Sequence, residues 1–209
     1  MDHSRLSMPL GEAMFTQRSI RRFRPDPVPV ADLELILEAA VKAPSGGNSQ
    51  IARFLVVNDR DLIKEFGAVY RDAWWAKRLD SHGWTGPEDI PEADRAQFGP
   101  AMRLADDMAT VPCLVFVLSV GSHQPESVLP AAQNLMLAAR ALGIGSVPTR
   151  IHPSVEDRFR AIFGVPQDVT LHFAIPLGYP AGRFGPTTRR PTWETGYLNT
   201  WGAPLPWTP

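Results

Sequence analysis

The sequence predicts a single domain of the α+β class, in which helices flank a buried central sheet. Two segments carry this prediction. The apolar run 111–120 has no alternating polar side, which is typical of a strand that is buried on both faces. Residues 130–142 are apolar or alanine on nearly every side, which indicates a central helix rather than a surface helix. A length of 209 residues fits one domain.

The other elements follow from periodicity and from boundary signals. Leu33, Ile36 and Leu37 recur at a spacing of three to four, so the helix that contains them buries one face. Asp32 and Ser154 stand where N-caps are expected, because their side-chain oxygens can accept from the first N–H groups of a helix. The predicted helices are 10–17, 33–42, 61–70, 130–142 and 154–163, and the predicted strands are 53–58, 111–120 and 170–179.

Residues 71–110 differ in character from the rest of the chain. They mix Trp74, Trp75 and Trp84 with charged residues and glycines. Such a segment has too many aromatic residues for a disordered linker and too few apolar ones for a core of its own. It predicts either a lid over a pocket or a peripheral helical insertion that packs on the domain, and the sequence favours neither.

Composition excludes several classes of protein. A formal net charge of −1 gives no electrostatic reason to expect nucleic acid or an anionic membrane as a partner. Cys113 is the only cysteine, so no intrachain disulfide can form, and its apolar neighbours favour a buried thiol over a nucleophile. The apolar run is too short to span a bilayer, and residues 1–9 lack the apolar stretch of a signal peptide. We therefore expect a cytoplasmic protein.

Two clusters of cations are candidates for binding a phosphate group. The first contains Arg18, Ser19, Arg21 and Arg22. The second is the pair Arg189 and Arg190 near the other end of the chain. Guanidinium groups present planar forks of donors that match phosphate oxygens, and a serine hydroxyl adds a further donor. On composition alone, a solvated basic face is the favoured explanation of each cluster.

Two glycine-containing segments are candidates for contact with a flat polar ligand. Residues 44–50 combine two glycines with the amides of Asn48 and Gln50, although a turn that merely ends a helix would also explain the glycines. Gln133 and Asn134 lie in apolar surroundings ahead of a second such segment, residues 143–149. These two amides either bond to backbone within the core or face a bound ring, because an unsatisfied buried amide costs about 1–3 kcal/mol.

Several catalytic signatures are missing from the sequence. It has no dinucleotide-binding or P-loop glycine pattern and no nucleophile elbow. Five histidines, including His123, are scattered without a spacing that suits a metal site, and His172 within a predicted strand favours a structural role over that of a base. We therefore expect no catalytic side chain and no metal, and a cofactor that supplies its own chemistry.

Taken together, the motifs resemble the nitroreductase-like FMN flavoprotein family, in particular its actinobacterial NAD(P)H nitroreductase-type members. The order and spacing match from residue 15 to residue 191, nearly the whole chain. The matching stretches are residues 18–23 (RSIRRF), 43–50 (APSGGNSQ), 139–146 (ARALGIGS), 177–180 (LGYP) and 189–191 (RRP).

The resemblance implies a fold with a central mixed or antiparallel sheet, in an intertwined homodimer whose tail, residues 180–209, wraps around the other subunit. It also implies which residues bind FMN. The phosphate and ribityl chain would contact the first cationic cluster and Arg189 or Arg190, the loop 44–46 would come from the partner, and the ring would lie near residues 147–149. The residues so implied are Arg18, Ser19, Ile20, Arg21, Arg22, Pro44, Ser45, Gly46, Asn48, Gln133, Val147, Pro148, Thr149, Arg189 and Arg190.

The implied function is an FMN-dependent oxidoreductase that takes hydride from NADH or NADPH and reduces a small planar acceptor, such as a nitroaromatic compound or a quinone. Trp74, Trp75 and Trp84 would then face the acceptor. Residues 147–150 read Val-Pro-Thr-Arg where many bacterial members have Pro-Ile-Glu-Gly, so the acidic residue beside the flavin is absent. The alternatives are flavin fragmentation, reductive dehalogenation or non-catalytic flavin binding on the same fold.

Overall fold

The computed structural model of the protein describes residues 2–121 and 124–207. His123 and the last two residues of the predicted tail therefore lie outside the described residues. The helices are α1 (Leu10–Thr16), α2 (Val30–Val41), α3 (Arg60–His82), α4 (Glu92–Asp107), α5 (Leu129–Ala141) and α6 (Glu156–Phe163), and the strands are β1 (Ala52–Val57), β2 (Cys113–Val120), β3 (Gly145–Ser146) and β4 (Val169–Gly178).

The strands form one sheet in the order β1-β2-β4-β3, and each neighbouring pair is antiparallel. A single parallel bridge, Ser19 to Ser146, extends the sheet beyond β3. This arrangement confirms the α+β class and the expected mixed or antiparallel sheet. The predicted strand 111–120 becomes β2, which lies inside the sheet and is buried along almost its whole length.

Successive residues of β2 point to opposite faces of the sheet and enter two separate cores. Phe116 packs with α3, α4 and α6, where its ring lies 4.9 Å from those of Phe66 and Phe159. Val115 and Val117 pack with the aliphatic side chains of α2 and α5. An unbroken apolar run is required because each face of this strand is covered by helices.

Three boundary predictions are wrong. Helix α3 does not end at residue 70 but continues to His82, where Gly83 adopts a left-handed conformation (φ 75°) and donates its N–H to the Leu79 carbonyl at 2.8 Å. Asp32 is not the N-cap of α2, because the helix begins two residues earlier and the carboxylate is buried in an ion pair with Arg5. Ser154 lies within a short 3-10 turn that precedes α6.

Residues 71–110 consist of the second half of α3, a connecting loop and α4. Trp74 and Trp84 are buried in the aromatic core, and Trp75 is half-buried against Trp74, with ring centroids 4.7 Å apart. The segment therefore packs on the domain within a single chain. Among the helices of the described residues, none is long and apolar enough to cross a membrane.

Candidate functional site

The first cationic cluster is fixed to the edge of the sheet. Ile20 is buried, and its N–H donates to the Ser146 carbonyl at 2.9 Å. A Cβ at Gly145 would approach the Ile20 side chain to 2.7 Å, so only glycine permits this close approach. The flanking residues Arg18 and Arg22 are exposed, whereas Arg21 is half-buried. The chain thus presents guanidinium groups on both sides of a buried anchor.

The second cationic cluster follows a segment that is tied to the same end of the molecule. The Thr187 N–H donates to the Phe15 carbonyl at 3.2 Å, three residues before Arg18. The Arg140 guanidinium lies 4.1 Å from the centre of the Phe184 ring, which fixes this segment against the end of α5. Arg189 and Arg190 come directly afterwards and are exposed.

The arginines of these clusters differ in their pairing from two arginines close to them in the chain or in space. Nearby Arg24 and Arg140 form ion pairs with Asp26 and Glu12. No carboxylate of the described residues lies within 4.0 Å of the guanidinium groups predicted to bind phosphate, which belong to Arg18, Arg21, Arg22, Arg189 and Arg190.

A cleft of about 410 Å³ lies between the sheet edge and the helices α3 and α4. It brings together several residues that the sequence had singled out, since Arg21, Trp74 and residues 147–149 all line it. The other lining residues were not expected from the sequence: Tyr70, Ala73, Lys77, Arg78, Gln97, Phe98, Ala101, Leu104, Arg150 and Phe173.

Thr149 is held in the cleft by a network of hydrogen bonds. Its backbone N–H and C=O pair with Ala174 at 3.0 and 2.9 Å, and its hydroxyl donates to the Ala174 carbonyl at 2.6 Å. Burial raises the pKa of Tyr70 above its ordinary value, and a hydrogen bond between Tyr70 and Thr149 opposes the shift. The backbone N–H of Thr149 is therefore occupied, and Pro148 has none, so neither can donate to a ligand.

The loop at residues 44–50 has the backbone freedom that its glycines predicted. Gly47, Asn48 and Gln50 all have positive φ, at 58°, 55° and 49°. Positive φ is uncommon for residues other than glycine, and it costs about 1–3 kcal/mol where the surrounding structure imposes it. The Gly46 N–H donates to the Ser127 hydroxyl at 3.0 Å, which places this loop beside the start of α5.

The loop and the first cationic cluster are not brought together within one chain. Residues 44–50 lie at the start of α5, whereas the first cluster pairs with Ser146 just after its end. A helix of 13 residues spans about 18 Å between these ends. Pro44, Gly46 and Asn48 are exposed and Ser45 is half-buried, and none of the four lines the cleft.

The two amides on α5 have different environments. Asn134 is half-buried and donates to the Ala39 carbonyl at 3.2 Å, which is the core backbone bond considered from the sequence. Gln133 is exposed on the described chain. Its neighbourhood is thus not apolar within a single chain, and its predicted contact with a flavin stays a prediction.

His172 and Cys113 have the structural roles that the sequence favoured. The β2–β4 register skips His172, and its buried Nε2 lies 2.8 Å from the Ser119 hydroxyl. Burial raises the pKa of the Cys113 thiol to about 12, so the thiol stays protonated and unreactive near neutral pH.

The cleft residues that the sequence missed come in equal number from α3 and α4, apart from Arg150 and Phe173. Tyr70, Trp74 and Lys77 or Arg78 recur at a spacing of three to four, so one face of α3 turns them towards the cleft. This spacing was the available signal. A helix that ends at residue 70, as the sequence predicted, separates Tyr70 from the other residues of this face.

Comparison with known proteins agrees with this architecture. The sequence profile of the Nitroreductase family matches residues 15–179. A protein of Archaeoglobus fulgidus, provisionally named an NADH dehydrogenase/NAD(P)H nitroreductase, is 32% identical over 80% of this chain and 83% of its own length. The iodotyrosine deiodinase of Thermotoga neapolitana is 30% identical over 78% of this chain and 84% of its own length.

Among solved structures, the chain is similar to an oxidised iodotyrosine deiodinase bound to FMN and 3-iodo-L-tyrosine. The TM-score is 0.69 at 26% sequence identity, and the superposition covers 88% of this chain and 94% of the deiodinase.

Proposed function

The chain belongs to the nitroreductase family, and we propose that it is an FMN-dependent oxidoreductase that uses NADH or NADPH to reduce a small planar acceptor, such as a nitroaromatic compound or a quinone. We further propose that it works as a homodimer in the cytoplasm, where nicotinamide cofactors are available.

The observation that carries the proposal is the unpaired state of the predicted phosphate ligands. Arg18 and Arg21 flank a buried anchor, and Arg189 and Arg190 follow a segment bonded to the same end of the chain. None has a carboxylate partner among the described residues, although other arginines nearby do. A phosphate group with two negative charges satisfies such a donor set, so the residues present fit the phosphate of FMN.

When bound, FMN would accept and donate the hydride, and the protein would bind and orient it. Arg18, Ser19 and Arg21 would hold the phosphate and ribityl chain, and Arg189 or Arg190 would close on the phosphate. Tyr70 and Thr149 form a fixed polar wall at the inner side of the cleft, which would limit the positions that a ring can take. The buried side chains around them would exclude water from this wall.

A homodimer would complete the site. Residues 44–50 and the first cationic cluster lie near opposite ends of α5, a helix about 18 Å long, so the corresponding loop of a second chain would complete the site beside the cluster. The positive φ of Asn48 and Gln50 supports a binding role for this loop, since strained backbone is common at ligand sites. Apolar side chains also lie exposed on α1, α2 and the start of α5, namely Leu10, Met14, Phe15, Val30, Val41 and Leu129.

The direct test is an anaerobic spectral titration of the purified protein with NADH and NADPH, followed by candidate acceptors. We expect bound flavin whose visible absorbance is bleached by reductant and restored by acceptor. A colourless protein that FMN cannot reconstitute would contradict the proposal. Flavin that neither nucleotide bleaches would favour a non-catalytic binding protein, and flavin consumed in the reaction would favour fragmentation.

The phosphate site has its own test in the double variant Arg18→Ala/Arg190→Ala. It should release FMN with little loss of folding stability, because both side chains are exposed and unpaired. The control is Arg103→Ala/Arg158→Ala, which removes the same charge from exposed positions elsewhere. Retention of stoichiometric flavin by the first variant would show that the phosphate binds elsewhere.

Reductive dehalogenation is a second candidate because of the similarity to iodotyrosine deiodinases. It uses the same reduced flavin but replaces a carbon–halogen bond by carbon–hydrogen, with release of halide. An assay for iodide release from iodotyrosine under turnover separates the two activities, since nitro or quinone reduction releases none.

A further inference from the structure

Arg78 is a cation without a partner on the α3 side of the cleft. Its guanidinium carbon lies 5.2 Å from the centre of the Trp74 ring and 5.1 Å from the centre of the Phe98 ring. Its Nε atom is buried and has no hydrogen-bond partner among the described residues. Burial lowers the pKa of Arg78 below its ordinary value, which reflects the cost of removing a charge from water.

The charges around Arg78 do not compensate it. Arg21, Lys77 and Arg150 line the same cleft, and no aspartate or glutamate does. Three acidic residues on the neighbouring helices have other partners: Asp72 pairs with Arg158, Asp80 with His152 and Asp106 with Arg71. The cleft is therefore a cationic site with aromatic walls.

The FMN phosphate does not account for this charge. Its proposed ligands Arg18, Arg189 and Arg190 are absent from the cleft lining, and only Arg21 belongs to both groups. The flavin ring carries no full negative charge when oxidised and a single one when reduced. Lys77, Arg78 and Arg150 together exceed that charge, so positive charge is left for a ligand that enters after the flavin.

We propose that Arg78, with Lys77 and Arg150, binds a carboxylate on the aromatic electron acceptor. This inference rests on the proposed function and names the class of its substrate as planar aromatic acids. A guanidinium group forms two parallel hydrogen bonds with a carboxylate, and the terminal nitrogens of Arg78 can make them at the cleft. The rings of Trp74 and Phe98 hold the guanidinium in place by cation–π contact and leave its outer edge for the ligand.

The same charges also discriminate among aromatic acids. An aromatic amino acid carries an ammonium group beside its carboxylate, and neighbouring cations repel that ammonium. The cleft lining offers only cations at its charged positions. Simple aromatic acids are therefore better substrates for this chain than zwitterionic amino acids with the same ring.

The test compares 4-nitrobenzoate with 4-nitrobenzamide, which present the same nitro-substituted ring with and without a negative charge. For the unaltered holoenzyme we expect kcat/KM to be higher for the acid by about 10-fold or more, as for a hydrogen bond to a charged group. Arg78→Gln should abolish this preference by lowering kcat/KM for the acid while changing that for the amide less than about 3-fold. Arg78→Lys should restore part of the preference, because it keeps the charge but not the planar fork.

The matched control is Arg71→Gln, which removes an arginine from the same helix where it pairs with exposed Asp106 at 2.9 Å. It should leave the preference for the acid unchanged. Should Arg78→Gln fail to fold, Lys77→Gln/Arg150→Gln and competitive inhibition of the unaltered enzyme by benzoate and benzamide test the same charge. Benzoate should bind at least about 10-fold more tightly than benzamide.

Equal kcat/KM values for the two acceptors in the unaltered enzyme would overturn the inference. It would also be overturned if Arg78→Gln weakened reduction by NADH or NADPH and left the acceptor preference intact, since the anion recognised would then be a nucleotide phosphate. Bleaching of the flavin by reductant is measured first for every variant. Absence of bleaching in the unaltered protein contradicts the proposed function itself, whereas bleaching without a charge preference contradicts only the inference.

Discussion

The two faces of the sheet differ in how much apolar surface the helices that cover them leave exposed. On the α3–α4–α6 face, Phe66, Phe116 and Phe159 interlock and are fully buried. On the α2–α5 face the inner side chains are equally buried, but the outer surface still exposes Leu10 and Val41. The first face is a finished core that carries the cleft. The second has a buried core and several exposed apolar side chains, where we propose that another chain packs.

The largest expected effect is on the aromatic face. Phe116→Ala should lower the free energy of unfolding by about 3–5 kcal/mol, because it opens a cavity between two rings that cannot both move inward. Denaturant titration of the holoprotein at a fixed protein concentration measures this free energy of unfolding. The control is Leu79→Ala, an exposed position on the same layer, for which we expect a loss below about 1 kcal/mol. A loss of that small size for Phe116→Ala would mean that the aromatic core is loosely packed.

A smaller effect is expected on the exterior of the other face. Leu10→Glu/Val41→Glu places charges at side chains that are 67% and 61% exposed, so it should leave the fold of each chain intact. If this surface joins two chains, the dissociation constant of the dimer should rise about 100-fold or more, since charges buried in an apolar interface lack partners. Sedimentation equilibrium measures the change.

The control for that variant is Leu79→Glu, at a side chain that is 52% exposed on α3. It introduces a negative charge on the α3–α4–α6 face and should leave the oligomeric state unchanged. A dimer that persists in the double variant but dissociates in the control would reverse the assignment of the two surfaces.

The smallest effect concerns the pH dependence of Cys113, on the aliphatic face. Burial raises its pKa from 9.0 to about 12, so the folded state resists ionisation that the unfolded state permits. The contribution of the protonated thiol to the free energy of unfolding is complete below pH 9. It is lost as the pH rises towards 12, by about 1.4 kcal/mol per pH unit. The stability difference between the unaltered protein and Cys113→Ala should therefore shrink by that amount from pH 8 to pH 10. A constant difference over this range would show that the thiol is accessible to water.

The sequence was sufficient for the elements whose environment is uniform. Strand β2 and helix α5 are buried on nearly all sides, so their apolar runs reported their positions directly. Helix α3 was only half predicted, because its second half alternates buried residues such as Trp74 with many charged ones. The error had a consequence for the site, since Lys77 and Arg78 were thereby assigned to the segment 71–110, which was expected to be a lid or a peripheral helical insertion.

The candidate site divides in the same way. The cluster around Arg18 was identifiable because cations adjacent in sequence stay adjacent in space. Arg78 on α3 and Arg150 beyond β3 both line the cationic cleft, and no sequence pattern within either segment predicts that they lie close together. The N-cap predictions failed for a related reason, since the Asp32 carboxylate is taken by Arg5 from a distant part of the chain.

The length of α5 has a consequence for how the protein would respond to dilution. If its two ends, about 18 Å apart, serve two different cofactor molecules, then each molecule is held jointly by two chains. Cofactor affinity and chain association then become linked equilibria, and each strengthens the other by mass action. The flavin would be retained at high protein concentration and shed at low concentration, so occupancy would depend on the amount of protein as well as on the amount of FMN.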